Sequence, residues 1–164
     1  MNPSAYPRSV QRVVDVLQAL GHPGLPTMLD DAARTAQQAA DGLGVALGQI
    51  AKSIIFKREP DGVQVLVVTA GDQRVDESKV QAVVCGASQH LSRADAAFVR
   101  ERTGFAIGGV PPLGHAQAGV VLLDASLQRF DTLWAAAGHP HAVFPLSPAD
   151  LARLTGAAFV EVIA

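Results

Sequence analysis

Two apolar runs near the middle of the chain limit its fold more than any other feature. Ile54-Ile55-Phe56, and then Val63 with Val65-Leu66-Val67-Val68, read as two strands. Glu59-Pro60-Asp61-Gly62 lies between them and carries turn chemistry, so the pair forms a hairpin. On both sides the period changes. Val10, Val13, Val14, Leu17 and Leu20 recur at helical spacing, with Gly21 placed to cap them, and residues 21–31 read as irregular or edge structure. Thr35 and Gln38 have the spacing of a capping box, and Gly42 and Gly44 stop the helix they open. Residues 76–85 form a helix with Val80, Val83 and Val84 on one face. Ser92, with Asp95 three residues on, opens another that Gly104 closes. Residues 105–119 form a loop rich in glycine and proline, followed by apolar runs at 120–123, 133–137 and 142–146. Ser147-Pro148 starts a last helix, because proline suits the first helical position, and residues 159–163 end the chain as a strand. Strands that come both as a hairpin and separated by helices give an α/β (α+β mixed) fold with a curved mixed sheet, not a doubly wound one.

The 164 residues suit a single domain spanning 1–164. With 49% hydrophobic but only 5% aromatic residues, the core must be built from Val, Leu, Ile and Ala. A net charge of −2 excludes a protein that coats nucleic acid by overall charge, so any such contact rests on a local patch. Lys57 with Arg58, and Arg93, Arg100 and Arg102, are the clustered cations available for one. The lone Cys85 rules out an intramolecular disulfide framework and suits a reducing cytosol; it reads as a buried, inert thiol. Residues 1–10 lack a secretory apolar stretch, and no run approaches a membrane span, so a soluble cytoplasmic protein is expected.

Few side chains carry obvious chemistry. Lys52 opens the first apolar strand. It is either an edge residue reaching water or an ammonium aimed into a cleft, where it would bind anions and stabilise developing negative charge. Gly108-Gly109-Val110-Pro111-Pro112-Leu113-Gly114 either cradles a ligand with its main-chain amides or is a structural turn. Gly71-Asp72-Gln73-Arg74-Val75-Asp76 follows a strand and opens a helix. Asp76 reads as its cap, while Asp72 and Arg74 stand where a cleft could form. His139 and His141 offer too few ligands for a metal, and His139 beside Gly138 suits substrate hydrogen bonding. His22, His90 and His115 fall in loops and read as solvated. No metal or other cofactor is implied.

In order along the chain, these motifs resemble the YbaK/EbsC family. Gln49-Ile50-Ala51-Lys52-Ser53-Ile54-Ile55-Phe56 comes first, then Gly71-Asp72-Gln73-Arg74-Val75-Asp76. Thr103-Gly104-Phe105 and the Gly108-to-Gly114 segment follow, then Trp134 with Gly138. The family includes the editing insertion of bacterial prolyl-tRNA synthetase and its free-standing relatives. The resemblance covers roughly residues 8–164 and implies a barrel-like mixed sheet flanked by helices. It also implies hydrolysis of the ester joining a wrong amino acid to tRNA, in the free-standing form that acts in trans. The family's lysine falls on Lys52, followed by Ser53, and its glycine-to-proline signature on Gly108 and Pro112. By the same resemblance Lys52 would hold the terminal phosphate or ribose, the amides around Gly108 and Gly109 would grip the substrate carbonyl, and the terminal adenosine's 2′-hydroxyl would help activate or orient water. Thr35 corresponds to a residue lining the amino-acid pocket.

The cysteine-specific branch has an aromatic residue at Thr35, a serine at Ala136 and an aspartate at Val143, so a branch acting on alanine or another small residue fits better. The candidate substrate contacts are Thr35, Ser53, Pro112, Ala136, Gly138 and His139, with Lys57, Arg58, Arg100 and Arg102 for the tRNA. The expected partner is mischarged aminoacyl-tRNA, most often proline tRNA, with prolyl-tRNA synthetase as a further candidate; no DNA or membrane is expected. A non-catalytic module that binds tRNA or a synthetase, and a small-molecule regulator using the same cleft, are the competing readings.

Overall fold

The computed structural model describes residues 6–30 and 35–164. Residues 1–5 of the N-terminal stretch read above, and Asp31 at the end of the irregular segment, lie outside the described residues. Helix α1 (Arg8–Ala19) buries Val10, Val13, Val14 and Leu17, one stripe at helical spacing. A two-residue edge strand β1 (Thr27–Met28) leads to α2 (Ala36–Leu43), where the capping box of Thr35 and Gln38 is complete and Gly44 closes the last turn. Strands β2 (Ile50–Glu59) and β3 (Val63–Ala70) form the hairpin. Next come α3 (Glu77–Val84), capped by Asp76, β4 (His90–Arg93) and α4 (Ala96–Thr103). After the glycine-rich loop the chain forms β5 (Val120–Asp124), β6 (Leu133–Ala136), β7 (Ala142–Leu146), α5 (Pro148–Thr155) and β8 (Phe159–Val160).

Among the described residues all strands join one mixed sheet ordered β1-β7-β6-β2-β3-β5-β8, with β4 also paired to β2. The path does not return on itself, so the sheet is open and not a closed barrel. Central strand β3 explains the unbroken apolar run. Leu66 and Val68 face one core with α1, Phe105 and Phe144, while Val65 and Val67 face another with Val80 of α3. A strand covered on both faces has no polar side to alternate with. Each such side chain contributes about 1.5–3 kcal/mol by burial.

The Ser92 helix start is corrected. Ser92 lies in β4 and its hydroxyl donates to the Lys57 carbonyl at 3.3 Å. Asp95 is the cap, accepting from the Phe98 amide at 2.8 Å. Pairing with β2 takes the residues that a local helix signal had claimed. The final strand is shorter than expected, with an isolated Val75–Ile163 bridge beyond it. Cys85 is half-buried, not buried. His22 is buried, its Nε2 2.8 Å from the Pro145 carbonyl oxygen, so it is not solvated. No helix among the described residues is long and apolar enough to cross a membrane.

Candidate active site

The site arises from an interruption in the sheet. On one edge β2 pairs with β3 without a break from Ala51 to Arg58. On the other it pairs with β6 only at Ile50 and Ala51, and with β4 only from Phe56 to Glu59. The edge is therefore open at residues 52–55. Main-chain groups alternate sides along a strand. The Ile50 carbonyl accepts from Gly71 on the β3 side at 2.7 Å, and the Lys57 carbonyl accepts from Ser92 on the other. By that alternation Ser53 and Ile55 present their N–H and C=O groups to the opening, and no loop supplies a backbone partner among the described residues.

Two cavities meet there. A cleft of about 990 Å³ runs along residues 52–56, the loop from Gly71 to Val75, Arg93 and Ile107. A smaller lobe of about 180 Å³ lies between α2, β6 and β7, walled by Ala36, Ala39, Trp134, Ala136, Ala142 and Val143, with Thr35 at α2's start. Lys52, Ser53, Gly108 and Val110 line both. The Ser53 Oγ is buried and has no hydrogen-bond partner among the described residues. Lys52 shares a strand face with Ile54 and Phe56 and stands opposite Thr69. It belongs to the cleft rather than to an outer edge. Burial lowers its pKa from the ordinary 10.5 and nearby Arg74 lowers it further, while Asp72 acts in the opposite sense.

Gly108 has φ +91°, a backbone conformation that suits glycine, and its N–H has no acceptor among the described residues. Gly109 is different. Its amide donates to the Ala106 carbonyl at 3.1 Å, and a Cβ there would stand 2.8 Å from the His139 backbone. Gly109 is thus a close-packing glycine, and its donor is not available to a ligand. This corrects its expected place beside Gly108.

The family model of the aminoacyl-tRNA editing domain matches residues 30–154. The chain belongs to this family. YwhH, an uncharacterised protein of Bacillus subtilis (strain 168), is 38% identical over 129 residues, 79% of this chain and 80% of its own length. A proline–tRNA ligase of Thermoanaerobacter sp. (strain X514) is 28% identical over 96 residues, which are 58% of this chain and 16% of the ligase. The crystal structure of a candidate trans-editing enzyme for prolyl-tRNA synthetase has TM-score 0.91 and 37% identity, covering 98% of this chain and 99% of that one.

Within this editing domain, the other residues singled out from sequence divide. Thr35 and Ala136 line the small lobe. Pro112, Gly138 and His139 line neither cavity. Pro112 is buried, a Cβ on Gly138 would clash with Ser9, and His139 accepts the His141 amide at 3.1 Å through Nδ1. The rings of His139 and His141 lie 5.3 Å apart, and no group of three or more His, Cys, Asp or Glu could hold a metal among the described residues. His115, expected in solvent, is half-buried with Nε2 2.7 Å from the Pro111 carbonyl oxygen, and burial lowers its pKa.

The basic residues do not form one stripe. Lys57 and Arg102 flank the Phe98 ring at 5.4 and 5.1 Å. Arg58, on the other face of β2, is held by Asp61 and the Val84 carbonyl. Arg100 is exposed in the last turn of α4, and none of the four lines either cavity. Sequence reading missed Arg129. It donates to both Asp72 oxygens, at 2.7 and 3.1 Å, and so anchors the loop that floors the cleft. Nothing local announces a pairing across this much sequence.

Proposed function

We propose that this editing domain hydrolyses mischarged aminoacyl-tRNA in trans. The observation that carries the reading is the unpartnered Ser53 hydroxyl, placed with Lys52 and the Gly108 amide where the two cavities meet. A buried polar atom without a partner costs about 1–3 kcal/mol, and a polar substrate removes that cost. The terminal nucleotide occupies the larger cleft and the amino-acid side chain enters the small lobe. The ester carbonyl then lies at Ser53 and Gly108.

An aminoacyl ester is already activated, so catalysis needs a positioned water and a stabilised oxyanion more than a strong base. Water oxygen bonds to the carbonyl carbon, the bond to the ribose oxygen breaks, and the water's proton ends on that oxygen. The products are the free amino acid and tRNA with its terminal hydroxyl restored. The Gly108 N–H and Ser53 O–H donate to the oxyanion, and the Lys52 ammonium stabilises the negative charge. The terminal adenosine's free 2′-hydroxyl orients the water, as the family resemblance implies.

The kinship with a proline–tRNA ligase and a candidate trans-editing enzyme supports tRNA-Pro as the carrier. The lobe's volume and its walls of Ala36, Ala39 and Ala136 support a small side chain such as alanine. One methylene in such a lobe is worth only about 1–3 kcal/mol, so discrimination is graded. The test is deacylation of a panel of tRNA-Pro charged with alanine, serine, cysteine or proline. Turnover of the alanyl form above the others supports the assignment; binding of uncharged tRNA with no turnover of any form would replace it with a non-catalytic module.

A further inference from the structure

The loop that brings Gly108 to the cleft has little main-chain support. Pro111 and Pro112 offer no N–H, and the Gly109 amide bonds within the loop, to Ala106. Among the described residues no main-chain hydrogen bond joins residues 107–115 to another element. One side chain supplies the tie. The His115 ring has Nε2 2.7 Å from the Pro111 carbonyl oxygen and Nδ1 3.3 Å from the Gln64 amide nitrogen on central strand β3. Gln64 is itself firmly placed. It is 2% exposed, it donates to the Gln117 carbonyl at 2.9 Å, and a Cβ on Gly119 would clash with it.

These contacts fix the ring's tautomer. A carbonyl only accepts, so the Gln64 nitrogen faces Gln117 and its second hydrogen points to His115. Nδ1 then accepts, and Nε2 carries the hydrogen donated to Pro111. A proton added at Nδ1 would meet the Gln64 N–H. Turning the amide over would bring its unpartnered Oε1 to the ring but set that oxygen against the Gln117 carbonyl. Either way one bond is lost. We propose that His115 is a positioning residue for deacylation: its neutral form holds the Gly108 amide in place through Pro111 and Gln64, and its protonation releases the loop. The part of that amide in catalysis rests on the editing reading above, whereas the tie itself does not. Burial opposes protonation and outweighs the bond to Pro111, which favours it. The rest of the loop and β3 carry no charged side chain. On the elements around them, Lys57 is paired with Glu59, Arg100, Glu101 and Arg102 end α4, and α1 carries Arg12 and Asp15. None of these bonds to the ring.

Long-range proton–nitrogen NMR of the intact protein reads the ring directly. Neutral His115 should show Nδ1 as the bare nitrogen and titrate with a midpoint below the ordinary 6.5. The Gly108 amide resonance should move with that same midpoint. With mischarged tRNA, kcat should fall in acid through it while KM holds. His115→Phe keeps the ring's bulk and loses both bonds, so it should abolish that acid limb. Its kcat should drop about 10- to 100-fold, the effect of misplacing a catalytic group by about 1 Å. Gln64→Met leaves the bond to Pro111, so it should raise the His115 midpoint and lower kcat by a smaller factor. A hydrogen on Nδ1 in the neutral ring, a Gly108 amide indifferent to the titration, or an acid limb that survives in folded His115→Phe overturns the proposal. Absence of turnover in the wild type would instead count against the hydrolase reading, because the ring and amide measurements need no catalysis.

Discussion

The two edges of β2 are built from the same ten residues and do opposite things. Towards β3 the strand is paired without interruption, and the side chains it meets are almost fully buried. Towards β6 and β4 it is paired only at its ends, and the opening holds a buried hydroxyl with no partner among the described residues. One edge satisfies the backbone and stabilises the fold. The other leaves polar groups unsatisfied, which is tolerable where a ligand can complete them. Substitutions on the open edge should therefore damage function and spare stability, with the reverse on the closed side.

The largest effect is expected at Lys52. Removing one group that stabilises developing charge typically costs 10²–10³ in rate, so Lys52→Ala should lose about that much deacylation of mischarged tRNA. Its melting temperature should hold or rise, since the ammonium sits in the fold with a depressed pKa. The sign follows. The charged form is disfavoured by folding, so that cost is fully present at neutral pH and is relieved as pH rises through the unfolded value of 10.5. NMR titration of the Lys52 amine should give a midpoint below 10.5, and Asp72→Asn should lower it further, because Asp72 raises it. A midpoint at or above 10.5 would return Lys52 to the solvent.

Next comes the closed side. Leu66 is 1% exposed and packs into the larger core, so Leu66→Ala should lower stability by about 2–5 kcal/mol. Denaturant unfolding measures this. Specific activity per folded molecule should stay near wild type, and a selective loss of activity at full stability would break the contrast between the edges.

The closed side was legible in the sequence and the open one was not. Hairpin and caps are local: Val63 to Val68, the Pro60-Asp61-Gly62 turn and the Thr35–Gln38 box each lie within a few residues. Lys52, Ser53 and Gly108 stood out through family likeness, and alternation along β2 could not say whether Lys52 met solvent or a cleft. The opening itself depends on where β4 and β6 stop beside β2, and their pairings span 31 to 84 residues of sequence. The same distance hid the Asp72–Arg129 pair. Ser92 failed in the opposite direction, because a good local helix signal lost to a partner strand. Gly109 resembled a ligand-cradling glycine, since close approach to a backbone reads the same in sequence whichever backbone is involved.

A smaller effect, with opposite signs in two measurements, is expected at Ser53. Ser53→Ala should lower kcat/KM for mischarged tRNA by about 10- to 100-fold, the effect of one lost hydrogen bond to a charged intermediate. It should leave stability unchanged or raise it by up to about 1 kcal/mol, because the hydroxyl it removes has no partner among the described residues. A variant that loses stability as well would show that Ser53 is satisfied within the protein.

The smallest effect concerns the loop beneath the cleft. Asp72 and Arg129 form a two-pronged pair, but both side chains are more than a third exposed or nearly so, at 34% and 43%. Solvent screening then limits their coupling to at most about 1 kcal/mol, measurable in a double-mutant cycle of Asp72→Asn with Arg129→Gln. The hydrogen bond from Arg129 holds the Asp72 pKa below its ordinary 3.8. A carboxylate depressed by folding stabilises the protein above the unfolded pKa and loses that contribution as pH falls through the folded one. The stability difference between wild type and Asp72→Asn should accordingly be constant from pH 7 to about pH 5 and shrink below 3.8. Because the pair also fixes the loop that floors the cleft, Arg129→Gln should raise KM for mischarged tRNA by more than its small stability change implies. A KM equal to wild type would mean that the loop keeps its place through its main-chain bonds to Ile50, Ala70 and Ala164 alone.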